Sequence, residues 1–206
     1  VSACMAGDRQ SGAVVLQRFF SVLGERAGLL IYRDGDSRDY YCGGLRSSGG
    51  HGVRSGLGDL VLSDGVRYLG EWDKDKPHGK GVETYPGQGR YAGSFLNDAR
   101  HGAGLLECGP LKYYGPWKNG RRHGKGVESL LLGAARIECI SVLHEGALVR
   151  RTLVTTQFRG VAEAIKRDAR RAEEEAEEAA DKALQIANGV REKERERAAA
   201  EAKKQQ

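Results

Sequence analysis

Tyr68-Leu69-Gly70-Glu71-Trp72, followed after a short polar stretch by His78-Gly79-Lys80-Gly81, is written three times in this chain. The spaced positions return as Tyr91, Gly93, Phe95, His101, Gly102 and Gly104, and again as Tyr113, Gly115, Trp117, His123, Gly124 and Gly126. The copies start 23 and then 22 residues apart, with the same internal offsets. A period of this length means one small supersecondary unit stacked on its neighbours.

Within a copy the pattern has a period of two. Tyr68, Gly70 and Trp72 share one face and Leu69 and Glu71 the other, which predicts a strand. Asp73–Pro77 reads as a turn, and Gly81–Tyr85 alternates again as a second strand. Each unit is therefore a hairpin, and successive hairpins form a long antiparallel sheet that rises about 10 Å per unit. A side chain at Gly70 would collide with stacked rings or a crossing backbone. Gly79 and Gly81 frame a position where the strand bends or takes positive φ. The aromatics Tyr68, Trp72, Tyr91, Phe95, Tyr113 and Trp117 are expected to form a ladder along one face, with their outer edges open to a partner. His78, His101 and His123 read as structural histidines with a ring nitrogen bonded to backbone; they are spaced too far apart to share a metal ion.

The YxGxW and HGxG pattern resembles the MORN repeat, clearly over 68–126. Weaker copies flank it. Tyr41, Gly43 and Leu45 begin a unit that closes at Ser55-Gly56-Leu57-Gly58, with serine in place of histidine and a four-residue insertion in the glycine-rich stretch Ser47–Val53. Gly28–Gly35 resembles a second strand and its turn, and Ile137, Cys139, Val142 and Leu143 resemble a degenerate terminal unit. The expected organisation is an N-terminal extension (1–23), a repeat array (24–150) and a C-terminal helix (157–206).

That last segment is nearly all Ala, Glu, Lys, Arg and Gln, strong helix formers. Phe158, Ala162, Ile165, Ala169, Ala172, Ala176, Ala179, Ala183, Ile186 and Val190 form an unbroken heptad seam over 158–190. Alanine buries little area, so the seam suits docking along a larger partner through Phe158, Ile165 and Ile186 rather than strong self-association. The fold class expected is mostly β with one long, charged, Ala-rich helix.

Net charge is +5 over 206 residues, and 157–206 balances twelve basic against twelve acidic side chains. This is no nucleic-acid footprint. Cys4, Cys42, Cys108 and Cys139 lack CxxC spacing and read as reduced thiols of a cytosolic protein. No apolar run is long enough to span a bilayer, and a chain that begins with Val1 reads as a portion of a longer protein. No phosphate loop, GxSxG, HExxH or EF-hand pattern is present, so no cofactor, metal or catalysis is expected. The resemblance implies either of two settings. One is a scaffold of the ciliary or flagellar axoneme, like radial spoke head proteins, with partners bound through the sheet face and the helix. The other is a peripheral phosphoinositide-binding protein of junctophilin type, for which Lys74, Lys76, Lys118, Arg121 and Arg122 near the turns are the candidates.

Overall fold

The computed structural model describes residues 13–34, 36–48 and 51–204. Thirteen strands form one antiparallel sheet. They are β1 (Ala13–Val22), β2 (Glu25–Asp34), β3 (Ser37–Ser48), β4 (His51–Val61), β5 (Arg67–Asp73), β6 (Lys76–Tyr85) and β7 (Gly89–Leu96). β8 (Ala99–Cys108), β9 (Leu111–Lys118), β10 (Arg121–Arg122), β11 (Gly124–Leu132), β12 (Ala135–His144) and β13 (Ala147–Leu153) complete it. Each strand neighbours the next in sequence, except that β11 follows β9 directly and the two-residue β10 also pairs with β9. A 3-10 turn, Thr156–Phe158, leads into α1 (Arg159–Lys204), 46 residues long.

The unit is a hairpin, but its turn is tighter than Asp73–Pro77. Asp73 and Lys76 still pair, and only Lys74 and Asp75 turn the chain, with φ of 48° and 67°. Asn97-Asp98, Asn119-Gly120 and Glu145-Gly146 repeat this geometry. Two consecutive residues at positive φ make the turn whose twist matches that of the flanking strands.

The HGxG segment is a bend. Gly70 lies opposite Gly81 and Trp72 opposite Pro77, so His78, Gly79 and Lys80 face Glu71 alone. Gly79 takes φ +62°, and Gly56, Gly102 and Gly124 are likewise left-handed. Extra residues on one strand kink the pair. The hairpin tip thereby swings over the ladder face, and the tips join one another. Asp75 N donates to Arg54 O at 3.1 Å, Asp98 N to Pro77 O at 3.0 Å, Gly120 N to Arg100 O at 2.9 Å and Gly146 N to Arg122 O at 2.8 Å.

The flanking units keep the register expected of them. Gly43 lies opposite Gly58 and Gly28 opposite Gly43, and Leu143 sits opposite Gly124 as Trp117 sits opposite Gly102. The sheet also takes in part of the expected extension. β1 pairs with β2 along its length, though it lacks the Tyr-Gly pattern, because strand pairing needs only backbone. Residues 1–12, with Cys4, and Gly35, Gly49 and Gly50 lie outside the described residues.

α1 runs back across the other face of the sheet. Phe158, Ile165 and Ala169 pack with Tyr114, Val127 and Ile140; Ala176 and Ala180 with Leu69, Val82 and Ala92; Ile186, Ala187 and Val190 with Val22, Ala27 and Cys42. The heptad seam therefore meets the protein's own sheet, not a separate partner. The physical reason is a match of lengths. Seven helical residues rise about 10.5 Å and two strands span about 9.6 Å, so each heptad meets one hairpin. Alanine lets the helix lie close to the sheet.

Candidate interaction surface

The ladder is a continuous edge-to-face stack of seven rings: Tyr41, Trp72, Tyr68, Phe95, Tyr91, Trp117 and Tyr113. Successive centroids are 5.0–5.6 Å apart at interplanar angles of 74–90°. Aromatic quadrupoles favour this arrangement over face-to-face stacking. The glycines make room for it. A Cβ on Gly70 would lie 2.4 Å from Lys80 O, and one on Gly93 2.7 Å from Ala103 O. One on Gly115 would lie 2.8 Å from the Gly126 Cα. Gly58, Gly81, Gly104 and Gly126 each lie directly under a tyrosine ring.

Each tyrosine hydroxyl donates to a carbonyl three residues on. Tyr41 reaches Gly44 O at 2.8 Å, Tyr68 Glu71 O at 2.9 Å, Tyr91 Ser94 O at 3.0 Å and Tyr113 Pro116 O at 3.1 Å. Burial pushes all four hydroxyls above the ordinary tyrosine range, so they remain protonated donors. This bond ties the ring to the residue where the strand bends and explains tyrosine rather than phenylalanine there. Tyr91→Phe is expected to lower unfolding free energy by about 1 kcal/mol without altering the sheet, as read by urea denaturation.

The expectation of exposed ring edges fails. Tyr91 and Tyr113 are fully covered and Trp72, Phe95 and Trp117 nearly so, because the folded tips close over them. Part of that cover is arginine, before the histidine in two units (Arg100 and Arg122) and before Ser55 in the flanking one (Arg54), a role that the repeat pattern alone does not signal. Arg54 lies 4.3 Å over Trp72, Arg100 4.8 Å over Tyr91 and Arg122 5.3 Å over Tyr113. Arg100 also bonds Glu83 at 2.8 Å, and Arg122 bonds Glu128 at 2.7 Å. Arg122 is thus engaged inside the array and not presented to an anionic surface.

The histidines divide. His123 Nδ1 accepts from Glu145 N at 3.3 Å, the backbone bond expected. His78 and His101 have a buried Nδ1 that makes no such bond. Among the described residues no group of three or more His, Cys, Asp or Glu is placed to hold a metal.

The MORN repeat family matches residues 68–90, 91–109 and 113–130, three consecutive segments that coincide with the three clear hairpins. The chain is a MORN-repeat protein. No curated protein matches it.

The MORN array continues past the matched segments in geometry. In its last unit Cys139 stands where the others have tyrosine, and Arg151 stands where the others have glycine beneath the ring. Without a ring the glycine is not needed. The arginine uses the space and bonds Glu128 at 2.6 Å, while Ser141 Oγ donates to Glu128 at 2.7 Å. Burial alone would raise the Glu128 pKa, but the Ser141 hydroxyl, Arg151 and Arg122 outweigh it and hold the carboxyl below the ordinary glutamate range. A depressed folded pKa contributes stability that is present above the unfolded value, about 4.3, and lost as pH falls through the folded one. The stability gap between wild type and Glu128→Gln should therefore narrow as melting is followed from neutral pH to pH near 3. A constant gap would contradict this role.

On the helix face the seam is framed by ion pairs. Lys166 meets Glu138 at 3.0 Å, Lys80 meets Glu175 at 2.6 Å, Arg90 meets Glu173 at 3.9 Å and Arg18 meets Glu194 at 3.5 Å. Fully buried Asp59 is shared by Arg67, at 2.8 Å, and Arg191. Ile186 is buried, and Phe158 and Ile165 partly so, each against the sheet.

Proposed function

We propose that this MORN protein is a non-catalytic scaffold that binds other proteins within a large assembly, the ciliary axoneme being the setting its resemblance favours. The MORN repeat is itself a non-catalytic module. One observation carries the choice of protein over membrane. The ridge of hairpin tips, where lipid contact was the alternative, presents Lys74, Lys76, Lys118 and Arg121 interleaved with Asp73 and Glu145, while Arg122 is paired inward with Glu128 and Asp75 with Arg54. A ridge of mixed sign suits a complementary protein surface, whereas an anionic bilayer selects uniform positive charge. Among the described residues no helix is long and apolar enough to cross a membrane.

Two measurements test this reading. Liposome flotation with and without phosphoinositides should show no salt-sensitive binding. Tagged protein expressed in ciliated cells should stay with the axoneme after detergent extraction. Salt-sensitive flotation together with release into the detergent fraction would instead support the junctophilin-like alternative.

A further inference from the structure

The ladder face is closed by the tips and the opposite face by α1, but the last edge of the sheet is open. Val154 N donates to Glu138 O at 2.9 Å. By antiparallel alternation Thr152 and Arg150 then bond to β12, while the N–H and C=O groups of Arg151 and Leu153 point away from the sheet. Every β13 side chain except Thr152 is exposed. Three of the eleven exposed large apolar side chains described, Leu148, Val149 and Leu153, lie on β13 itself, and a fourth, Ile137, lies on its neighbour β12. Apolar edge strands of this kind are templates for pairing with another chain.

Charge indicates what the edge accepts. Arg136 and Arg150 have no ion-pair partner among the described residues, and Arg151 is half exposed beyond its bond to Glu128. The nearby acids Glu138 and Glu163 are taken up by Lys166. By register Leu148 and Leu153 lie on the ladder face, opposite Leu143 and Cys139, with Arg151 between them held by Glu128, and Arg150 lies on the helix face, opposite Val142. A strand added here continues the ladder with its own apolar residues and meets Arg150 with the residues between them.

We propose that β13 binds an extended segment of another protein as a further strand, one with apolar residues at alternate positions and Asp or Glu at the positions between. This rests on the scaffold reading and names the chemistry of one of its partners. A second copy fits less well. β13 carries no Asp or Glu, so self-pairing sets no acid opposite Arg150 in any register, and pairing centred on Arg151 sets that residue against itself, where directly opposed like charges are destabilising.

The test is fluorescence anisotropy of the full chain with a labelled peptide of about nine residues that alternates Val and Asp, against one that alternates Val and Lys. The Val–Asp peptide should bind, more weakly at raised ionic strength, and the Val–Lys peptide at least about tenfold less well. Leu153→Pro removes an outward N–H at an edge that tolerates proline, and should weaken binding about tenfold while leaving circular dichroism unchanged. If that variant misfolds, Arg150→Glu decides instead, by reversing the preference between the two peptides. No binding, equal binding of both peptides, or unchanged binding by the folded variants would overturn the proposal. So would a wild-type dimer in sedimentation that Leu153→Pro makes monomeric, because the edge would then be covered by its own copy. An unbound membrane with a bound peptide supports both readings; salt-sensitive flotation with a bound peptide removes the scaffold reading and leaves the strand site standing.

Discussion

Gly104→Val is expected to lower the unfolding free energy by at least about 3 kcal/mol and to broaden the melt of the central array. A Cβ on Gly104 would lie 2.5–2.6 Å from three atoms of the Tyr91 side chain. That ring cannot retreat. It is wedged between Phe95 and Trp117, and its hydroxyl is bonded to Ser94 O. Gly160→Ala is the contrast, since nothing lies within 4 Å of a Cβ there; it should gain up to about 1 kcal/mol from helix propensity alone. The clash is pairwise, so Tyr91→Cys in the Gly104→Val background should cost less than the two single changes added together. The terminal unit already carries such a combination, with Cys139 in the ring position and Arg151 in the glycine position. Simple additivity would show that the ring is not what demands glycine.

Ile186→Asp should lift the far end of α1 while the array stays folded. Ile186 packs with Ala187, Val190, Val22 and Cys42, and a carboxylate there would be buried without a partner. Cys42 reports the event. Its thiol is buried, and that burial pushes its pKa up to about 11, so it should resist thiol reagents in the native protein. A destabilisation of about 3 kcal/mol confined to this end would raise the Cys42 labelling rate about a hundredfold. Strand circular dichroism should persist. Unchanged labelling would mean that the helix does not protect this thiol.

The hairpin unit was legible because its signals are local: a period of two, a polar turn and glycines at fixed offsets. The reason for Gly70 was legible as well, since a glycine between same-face aromatics implies crowding. The bend at His78–Lys80 was readable only as a position that must bend. That three residues there oppose Glu71 alone, and so fold the tip over the rings, depends on cross-strand register. For that reason the ring edges looked available and the covering role of Arg54, Arg100 and Arg122 went unseen. The heptad seam was legible as a seam but not as to its target. A helix repeating at about 10.5 Å fits another helix or a stack of hairpins equally well, and only three dimensions distinguish them. β1 was hidden for a simpler reason: Ala13–Val22 joins through its backbone and carries none of the repeat's side chains.

Hydrogen–deuterium exchange on the full chain tests the union of array and helix most directly. Amides of residues 162–190 should be protected on the same timescale as those of β5 to β9, with the helix beyond residue 195 exchanging fast. Rapid exchange throughout 159–204 beside protected strands would mean a helix free of the sheet, and would contradict the fit of one heptad to one hairpin.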